Sequence, residues 1–600
     1  MKRWVVMTKR ADFDAIARNL SISPMLARIA RNRDMETEDQ IRKFLTGDLT
    51  QLYDPMLLKD MDVAVSLVKA MIEGGGRICV VGDYDVDGVC ATYILVKTLQ
   101  AAGANICWML PDRVKDGYGL NRRLIDRANE DKVAMILTCD NGIAALDAID
   151  HAKELGMCVI VTDHHEPQEQ LPAADAIVNP KQPGCTYPYR EICGAVVAYK
   201  FVQILCRKMQ LEMPGDLLEF AAFATVCDVM PLLDENHIIV KYGIEKMKTT
   251  TNIGLNALID VTEQDRSKLG YHALGFVLGP CVNATGRLDL AEQALQLFLS
   301  GNREDAVRLA QNLKELNVTR KAITDSATKE AIRIVTEGDD NNPVMTEDPV
   351  LVIFLPDCHE SIAGIVAGKV REHFYKPAIV LTRPGAEGTA ETEGTGETVS
   401  LAAEGTTEPA DADTDEKPAE GSVKGSGRSI EAYNMFEALQ KESDLLLKFG
   451  GHKMAAGMSL KEEDIEDLRK RLNEHAGLSE DDLTEKVKID IPMPVSYVTE
   501  AFTKELDLLR PFGNGNPTPL FAQKGLKIKE VRVQGKDVHN SVRVYFVGEQ
   551  AYGFRYCDAD AFAQEYHAGD TVSIVYTPKI NEFNGKRSIQ LDIKEIKPDT

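Results

Sequence analysis

Short apolar runs alternate with stretches of helical periodicity from Arg77 onward. The runs RICVV, NICWML, AMILTC, CVIVT and AIVN are separated by segments such as VCATYILVKTLQAAG and IAALDAIDHAKELG. Strands that alternate with helices form βαβ units, in which a parallel sheet is covered on both faces. The pattern therefore predicts an α/β fold, with a parallel-sheet domain over residues 61–290.

The other residues divide into further units, because 600 residues exceed what one hydrophobic core usually organises. We predict an N-terminal helical segment over 1–60 and a helical connector over 291–345. Residues 346–485 predict a second α/β domain, which we expect to face the first across a cleft. Five short apolar runs in 486–600 favour a C-terminal OB-fold β-barrel, and Asn584-Gly585 favours a tight hairpin there.

An acidic stretch at 386–421 interrupts the second α/β domain. It holds eleven acidic residues against one lysine, a local charge of −10 within the total of −24. Because such a composition buries too little apolar surface to fold, it predicts a disordered insertion, with a specific interaction tail as the alternative. The remaining charge is still negative, which counts against a polyanionic partner unless bound metal neutralises part of it.

Composition also bears on location. No apolar run approaches the roughly 20 residues of a membrane span, and the first residues include Lys9, Arg10 and Asp12 where a signal peptide would be apolar. The twelve cysteines are scattered singly, without a CxxC pair that would suggest zinc. We therefore expect a cytoplasmic protein with no membrane segment and with reduced, mostly buried cysteines.

Acidic and histidine side chains follow the predicted strands, at the point where each strand ends. They are Asp83, Asp85 and Asp87 after RICVV, Asp140 after AMILTC, and Asp163, His164 and His165 after CVIVT. A further acid, Asp228, closes the apolar run FATVC. Because the carboxyl ends of parallel strands share one edge of a sheet, side chains far apart in the chain should meet there.

Several carboxylates at one edge would repel one another unless a cation compensated for their charge. Oxygen ligands with one or two imidazoles suit Mn²⁺ or Mg²⁺. Two such ions could clamp both oxygens of a phosphodiester displacement and activate water. Each acid alone has a structural alternative, since an aspartate such as Asp83 at a strand end often caps a helix. The whole set predicts a two-metal centre.

Three of these stretches, GDYDVDG, TCDNGI and VTDHHE, resemble successive motifs of the DHH phosphoesterase superfamily. Other stretches resemble its RecJ family of single-strand-specific exonucleases: PDRVKDGYGL, GPCVNATGRL, CHESIAGIVAG, GSGRSI, KFGGHKMAAG and LRPFGNGNPTPLF. Together they cover nearly all of residues 10–600 outside the acidic insertion. The resemblance implies a metal-dependent exodeoxyribonuclease that acts on single-stranded DNA in repair and recombination.

The resemblance also implies roles for individual residues. Two ions, Mn²⁺ or Mg²⁺, would be held by Asp83, Asp85, Asp87, Asp140, His164 and Asp228. His165 would contact the scissile phosphate and complete a catalytic set with Asp87 and Asp140. Substrate would be bound by Arg113, Asn283, Arg287, His359, Ser426, Arg428 and His452. Surface arginines remain the alternative at Arg113 and Arg428, and a structural histidine at His452.

A pocket for a 5′ phosphate is implied at Arg113, Ser426 and Arg428, so digestion would run from 5′ to 3′ and release mononucleotides. The sequence departs from the family pattern at three positions. Cys281 stands in place of an arginine, Cys358 in place of a tryptophan and Val196 in place of a glycine. Loss of a basic and an aromatic group would weaken strand binding, while all predicted metal ligands are kept.

Two other functions stay open. A DHH-family phosphodiesterase on short oligoribonucleotides or cyclic dinucleotides would not need the C-terminal domain, whose aromatic and basic residues could hold a strand. A non-catalytic DNA-binding replication scaffold would show broken metal motifs. The expected partner is single-stranded DNA, with a helicase or a single-strand-binding protein as candidate protein partners.

Overall fold

The computed structural model describes residues 2–112, 119–288, 291–386, 389–391, 398–400, 421–535, 540–583 and 585–599. Side chains are described throughout these ranges except at 287–288, 389–391 and 398–400. Most of the acidic stretch, Arg113 and Asn584 therefore lie outside the described residues. Within the described ranges, no helix is long and apolar enough to cross a membrane.

The chain begins with a short strand, β1 (Arg3–Val6), and three helices, α1 (Phe13–Leu20), α2 (Pro24–Asn32) and α3 (Glu38–Thr46). Each helix begins at a side chain that accepts a backbone hydrogen bond, from Asp12, Ser23 or Thr37. Sequence analysis did not predict β1, which pairs in parallel with Lys486–Ile489. The N-terminal segment thus lies against the C-terminal part of the chain.

A five-stranded parallel sheet organises the first lobe, residues 61–288. Its strands are β2 (Arg77–Val81), β3 (Asn105–Met109), β4 (Met135–Cys139), β5 (Cys158–Thr162) and β6 (Ala176–Val178), in the order β3-β2-β4-β5-β6. Alternate residues of one strand enter opposite cores, as Val80 and Val81 do. The predicted parallel sheet, buried on both faces, is confirmed.

Helices cover both faces of this sheet. They are α4 (Met61–Glu73), α5 (Val86–Ala101), α6 (Arg122–Glu130), α7 (Leu146–Glu154), α8 (Gly194–Met209), α9 (Leu217–Cys227), α10 (Asp234–Met247), α11 (Ile253–Val261), α12 (Tyr271–Ala273) and α13 (Gly279–Leu288). Helices α5, α8 and α9 build the larger core and α6 and α7 the smaller one. A π-helical turn, Leu274–Leu278, joins α12 to α13.

Two helices form the connector, α14 (Glu292–Leu299) and the 35-residue α15 (Arg303–Glu337). The first half of α15 places Leu309 and Leu313 in the core of the first lobe. Its second half places Ile323 and Ile334 in a core of the second lobe. Helix α15 therefore belongs to both lobes and fixes where they meet.

A mixed sheet organises the second lobe, residues 346–485. Its elements are β7 (Leu351–Phe354), α16 (Glu360–Phe374), β8 (Ala378–Thr382), β9 (Thr389–Glu391), β10 (Thr398–Ser400), β11 (Ser422–Arg428), α17 (Met435–Lys441), β12 (Leu446–His452), β13 (Ala455–Lys461) and α18 (Ile465–Glu474). The sheet order is β12-β13-β11-β8-β7, in which β7 and β8 alone run parallel. Strands β9 and β10, inside the predicted disordered insertion, pair as a separate antiparallel hairpin.

The C-terminal domain holds β14 (Lys486–Ile489), β15 (Ile491–Pro492), α19 (Glu500–Glu505), β16 (Phe521–Gln534), β17 (Ser541–Phe546), β18 (Tyr552–Tyr556), α20 (Ala559–Glu565), β19 (Thr571–Phe583) and β20 (Lys586–Pro598). Pairing runs β16-β17-β18-β20-β19, and β19 pairs again with β16. Its core also contains Ile29, Ile41 and Phe44 of the N-terminal helices. The two ends of the chain therefore share one core.

Candidate active site

The acids predicted at strand ends converge on one edge of the first-lobe sheet. Three groups of side chains each bring their ligand atoms within 4.8 Å of one another: Asp140 with His164 and His165, Asp87 with His164 and Asp228, and Asp83 with Asp85 and Asp140. All six predicted metal ligands and His165 therefore belong to one cluster. Asp228 reaches it from the C-terminal end of helix α9.

His164 stands at the centre of this cluster. Its Nε2 lies 3.1 Å from Asp140 Oδ1, 3.5 Å from Asp87 Oδ2 and 3.7 Å from Asp228 Oδ2. Burial lowers the pKa of His164, so its ring favours the neutral form that binds metals. One imidazole thus faces carboxylates from three separate segments of the chain.

Asp87 is held by the start of helix α8. Its two carboxylate oxygens accept backbone hydrogen bonds from Gly194 N at 2.6 Å and Ala195 N at 2.7 Å. A carboxylate is favoured there because the first N–H groups of a helix have no partner within the helix. A Cβ at Gly194 would stand 2.6 Å from Asp140 Cβ, so only glycine allows this approach. Sequence reasoning missed this role of Gly194.

Burial and mutual repulsion dominate the electrostatics. Burial, followed by neighbouring carboxylates, raises the pKa of Asp83, Asp85, Asp140 and Asp228. Asp83 Oδ1 and His164 Nδ1 are buried without a hydrogen-bond partner in the described structure. Buried acids that cannot share protons or donors are stabilised by a cation. The donor set therefore fits divalent metal.

His165 is oriented by Asp163, a strand-end acid for which the sequence predicts no individual role. His165 Nδ1 lies 2.8 Å from Asp163 Oδ1. Burial alone would lower the pKa of His165, but the hydrogen bond to Asp163 raises it to about 9. Asp163 also accepts backbone hydrogen bonds from Ile143 N and His164 N. It therefore fixes the imidazole relative to the cluster.

Helix α13 contacts the loop that carries Asp85 and Asp87. Asn283 Oδ1 accepts a hydrogen bond of 3.1 Å from Val86 N, between the predicted ligands Asp85 and Asp87. In the structure Asn283 thus holds protein backbone, whereas the sequence predicts a substrate contact. Arg287 belongs to the same helix, but its side chain lies outside the described residues, as does Arg113.

The C-terminal domain contacts the backbone beside Asp228. Asn514 Nδ2 donates to Val229 O at 2.7 Å, and Leu232 N donates to Asn514 O at 2.7 Å. Val229 has a φ of +57°, a left-handed conformation that is rare for a β-branched residue. The loop 513–517 (GNGNP) thus stabilises a strained turn next to the predicted metal ligand Asp228.

The other predicted substrate residues lie on the second lobe. Ser426 and Arg428 of β11 both face helix α16, since a Cβ at Gly364 would meet Arg428 Nη2 at 2.7 Å and Ser426 Oγ at 3.4 Å. Ser426 also lines a cavity of about 410 Å³ with Lys424 and Lys448. The structure therefore groups Ser426 and Arg428 around one helix face.

Two histidines complete the second-lobe set. His359 caps helix α16, where its Nδ1 lies 2.7 Å from Ser361 Oγ. His452 is exposed and pairs with Ala455, which pairs in turn with Arg428. Because directly paired residues point to the same side of a sheet, His452 and Arg428 share one face, two strands apart.

The departures from the family pattern at Cys281, Cys358 and Val196 are all buried. Cys281 Sγ accepts a hydrogen bond of 3.6 Å from Asn317 Nδ2. Burial raises the pKa of the Cys281 thiol to about 11 and that of the Cys358 thiol to about 12. Both cysteines are therefore neutral small side chains in the core.

Comparisons with known proteins agree with this arrangement. Residues 77–225 match the DHH family N-terminal domain, 347–477 the DHHA1 domain and 489–595 the RecJ OB domain. The match to the single-stranded-DNA-specific exonuclease RecJ of Bacillus subtilis is 35% identical and covers 99% of this chain and 70% of that protein. RecJ of Escherichia coli is 30% identical over the full length of both chains.

Crystal structures of RecJ from Thermus thermophilus share the fold. The complex with Mn²⁺ matches with a TM-score of 0.79 and 25% identity, and covers 100% of this chain and 80% of that one. The complex of the same protein with Mg²⁺ gives a TM-score of 0.73 and 24% identity, and covers 100% of this chain and 79% of that one. Similarity over the whole chain, joined to the intact cluster, places this chain in the RecJ family of single-stranded-DNA-specific exonucleases.

Proposed function

We propose that this protein hydrolyses single-stranded DNA from its 5′ end and releases 5′-mononucleotides, in DNA repair and recombination. The observation that carries the proposal is the convergence of Asp87, Asp140 and Asp228 on His164 Nε2, within 3.1–3.7 Å. Four segments of the chain supply these side chains, so the cluster depends on the folded first lobe. Such convergence supports phosphodiester chemistry.

Two divalent cations, Mn²⁺ or Mg²⁺, would be held by Asp83, Asp85, Asp87, Asp140, His164 and Asp228. When bound, the ions would polarise the scissile phosphate and activate water. The protein itself contributes by holding the ligand side chains in position. Asp87 is fixed by the N-terminus of α8, and Asn283 holds the backbone at Val86. His165, oriented by Asp163, contributes a hydrogen-bond donor where negative charge develops.

The direction of digestion would be set by the second lobe. Ser426 and Arg428, with Arg113 from the first lobe, would bind a 5′ phosphate and set the next phosphodiester over the cluster. His359 and His452 would contact the same DNA strand. Grouping of Ser426 and Arg428 around Gly364 supports this pocket.

The test follows both ends of the substrate. Strands of DNA and RNA labelled at the 5′ or the 3′ end are incubated with Mn²⁺, Mg²⁺ or EDTA, and products are resolved over time. We expect labelled mononucleotide to appear first from 5′-labelled DNA, and no product in EDTA. Release from the 3′ end first would contradict the polarity. Faster cleavage of short RNA or of cyclic dinucleotides would favour the alternative phosphodiesterase, and inactivity with every metal would favour a scaffold.

Domain roles complete the proposal. The first lobe would hold the metal ions, and the second lobe would bind the 5′ phosphate. The C-terminal domain would bind the part of the DNA strand that extends beyond the two lobes. Exposed aromatic residues support the last role, since Tyr556 and Phe583 are 76% and 72% exposed and bases stack on such rings. A helicase or a single-strand-binding protein would be the partner, in the cytoplasm, a location in keeping with twelve free cysteines.

A further inference from the structure

Two cysteines lie opposite each other at the edge of the first-lobe sheet. Cys79 of β2 and Cys107 of β3 are direct partners in the parallel register, and both side chains pack in the smaller core. A hydrogen bond joins the two thiols. Cys79 is fully buried, whereas Cys107 is partly exposed on β3, the edge strand. The pair therefore joins a buried thiol to a residue that solvent can reach.

The surroundings of Cys107 favour the thiolate, which is the reactive form of cysteine. A hydrogen bond from Cys79 lowers the pKa of the Cys107 thiol to about 7; burial opposes this shift, and the Arg77 guanidinium adds to it. Arg77 is itself held by a hydrogen bond of 2.7 Å from its Nη1 to Asp131 O. The hydrogen bond to Cys107, together with burial, raises the pKa of Cys79, so the proton stays on the buried thiol. Cys107 thus combines thiolate character with partial exposure, as reactive cysteines do.

Strand geometry permits a covalent bridge between the two sulfur atoms and makes it a strained one. Neighbouring strands lie about 4.8 Å apart, which is within the range of Cα separations found in disulfides. In a parallel pair the Cβ atoms keep roughly the same spacing, which is wider than the mean of about 3.8 Å in disulfides. Strained bridges are more easily reduced. A bridge between these strands would therefore form and break readily.

We propose that Cys107 and Cys79 form a reversible disulfide in response to hydrogen peroxide. The Cys107 thiolate attacks one peroxide oxygen, so that an S–O bond forms, the O–O bond breaks and hydroxide leaves. The Cys79 sulfur then attacks the resulting sulfenic acid, and the S–O bond breaks as the S–S bond forms. The Cys79 proton leaves with the departing hydroxide as water. Two electrons pass from the thiols to the peroxide, and a dithiol reductant returns them.

The position of the pair connects this modification to the predicted metal centre. The chain between the two cysteines carries the predicted ligands Asp83, Asp85 and Asp87. A bridge would therefore close a ring of chain around them. The chemistry of the pair does not depend on the proposed function, so the two proposals can fail separately.

The experiment maps thiols in the native protein and needs no nuclease activity. Protein in EDTA is treated with a graded series of hydrogen peroxide, and the reaction is stopped with catalase and with iodoacetamide in denaturant. Digestion without reductant and mass spectrometry then identify linked peptides. We expect peptides joined through Cys79 and Cys107, which dithiothreitol separates. Dimedone added with the peroxide should label Cys107 and reduce the yield of the linked pair, since it intercepts the sulfenic acid.

Cys158→Ser is the matched control, because Cys158 is also partly exposed on the same sheet, at the start of β5. Burial and Asp175 raise the pKa of its thiol to about 11, so its replacement should leave the bridge unchanged. Cys107→Ser should abolish the bridge in a normally folded protein. In the native wild type, iodoacetamide at pH 7 should alkylate Cys107 at least about 10-fold faster than Cys158. Equal rates at the two thiols, oxidation without the linked pair, or a link that resists dithiothreitol would overturn the proposal.

Discussion

The acidic and histidine cluster of the first lobe and the proposed phosphate pocket of the second lobe are built in different ways. Asp87, Asp140 and His164 are buried, and their positions are fixed by backbone donors and helix ends. Arg428 is only partly buried and His452 is exposed, on one face of an open sheet. The first arrangement is preorganised and largely buried, whereas the second is accessible to solvent.

In the proposed function, this difference separates the chemical step from the selection of substrate. Groups that act on developing charge are most effective where the site is rigid and water is excluded. A pocket that admits a new 5′ end after every cleavage, as proposed for the second lobe, needs access instead. We therefore expect substitutions in the first lobe to act on turnover, and substitutions in the second to act on the choice of substrate.

The largest effect should follow from Asp140→Ala. Asp140 belongs to two of the three ligand groups, so its loss dismantles the cluster and should lower the turnover number by at least roughly 10³-fold. The fold should persist, because Asp140 is a buried acid whose pKa is raised by burial and by neighbouring carboxylates. Steady-state cleavage and thermal unfolding are measured together.

The control for Asp140→Ala is Asp150→Ala, at an exposed acid on helix α7 of the same lobe. Its turnover should match that of the wild type. Residual activity near the wild-type level in purified Asp140→Ala, or full activity in EDTA, would contradict the metal-dependent mechanism.

Arg428→Ala should produce the next largest change, and in the other lobe. A lost charged hydrogen bond corresponds to about 1.5 to 3 kcal/mol, or roughly 10- to 100-fold, on strands with a 5′ phosphate. Strands with a 5′ hydroxyl should be cut with a smaller loss. The specificity constant kcat/KM is compared for the two substrates, and equal losses on both would refute the pocket.

Asp163→Asn tests whether orientation matters inside the cluster. The amide keeps the size of the carboxylate but weakens the hold on His165 Nδ1, now 2.8 Å away. Substitution of a residue that orients a directly acting side chain typically lowers activity by about 10-fold or more. We expect that loss in kcat, with little change in KM. A rise in KM alone would indicate that Asp163 contributes to substrate binding and does not orient His165 for the chemical step.

Much of the first lobe follows from local sequence rules. Strand periodicity and parallel topology bring Asp83, Asp140 and His164 to one edge without knowledge of any distant contact. The left-handed turn at Val229 and the contact of Asn514 with it could not be predicted. They depend on a loop far along the chain, and a sequence pattern carries no signal for such a pairing.

The chain ends illustrate the same limit. Strand β1 is four residues long and exposed along most of its length, so neither its length nor its alternation predicts a strand. It forms because Lys486–Ile489 supplies a partner. Arg33 is likewise buried with acceptors far along the chain, among them Asp490 and Asn516, which accept its hydrogen bonds at 3.1 Å and 2.7 Å. Neither strand β1 nor the burial of Arg33 follows from local sequence, because each depends on a partner near the other end of the chain.

The smallest effect should follow from removal of residues 386–421. Thr382 of β8 pairs with Lys424 of β11, so the shortened chain would join two antiparallel neighbours through Arg383, Pro384, Gly385, Ser422 and Val423. A five-residue connection is an ordinary hairpin length, and closure free energy depends only weakly on loop length. We expect normal folding, a turnover number within about twofold of the wild type, and an unchanged preference for 5′ phosphate. Thermal unfolding and cleavage of both substrates measure this. A large fall in turnover with an unchanged unfolding temperature would show that the acidic segment acts on the site, and chemistry and selection would no longer separate by lobe.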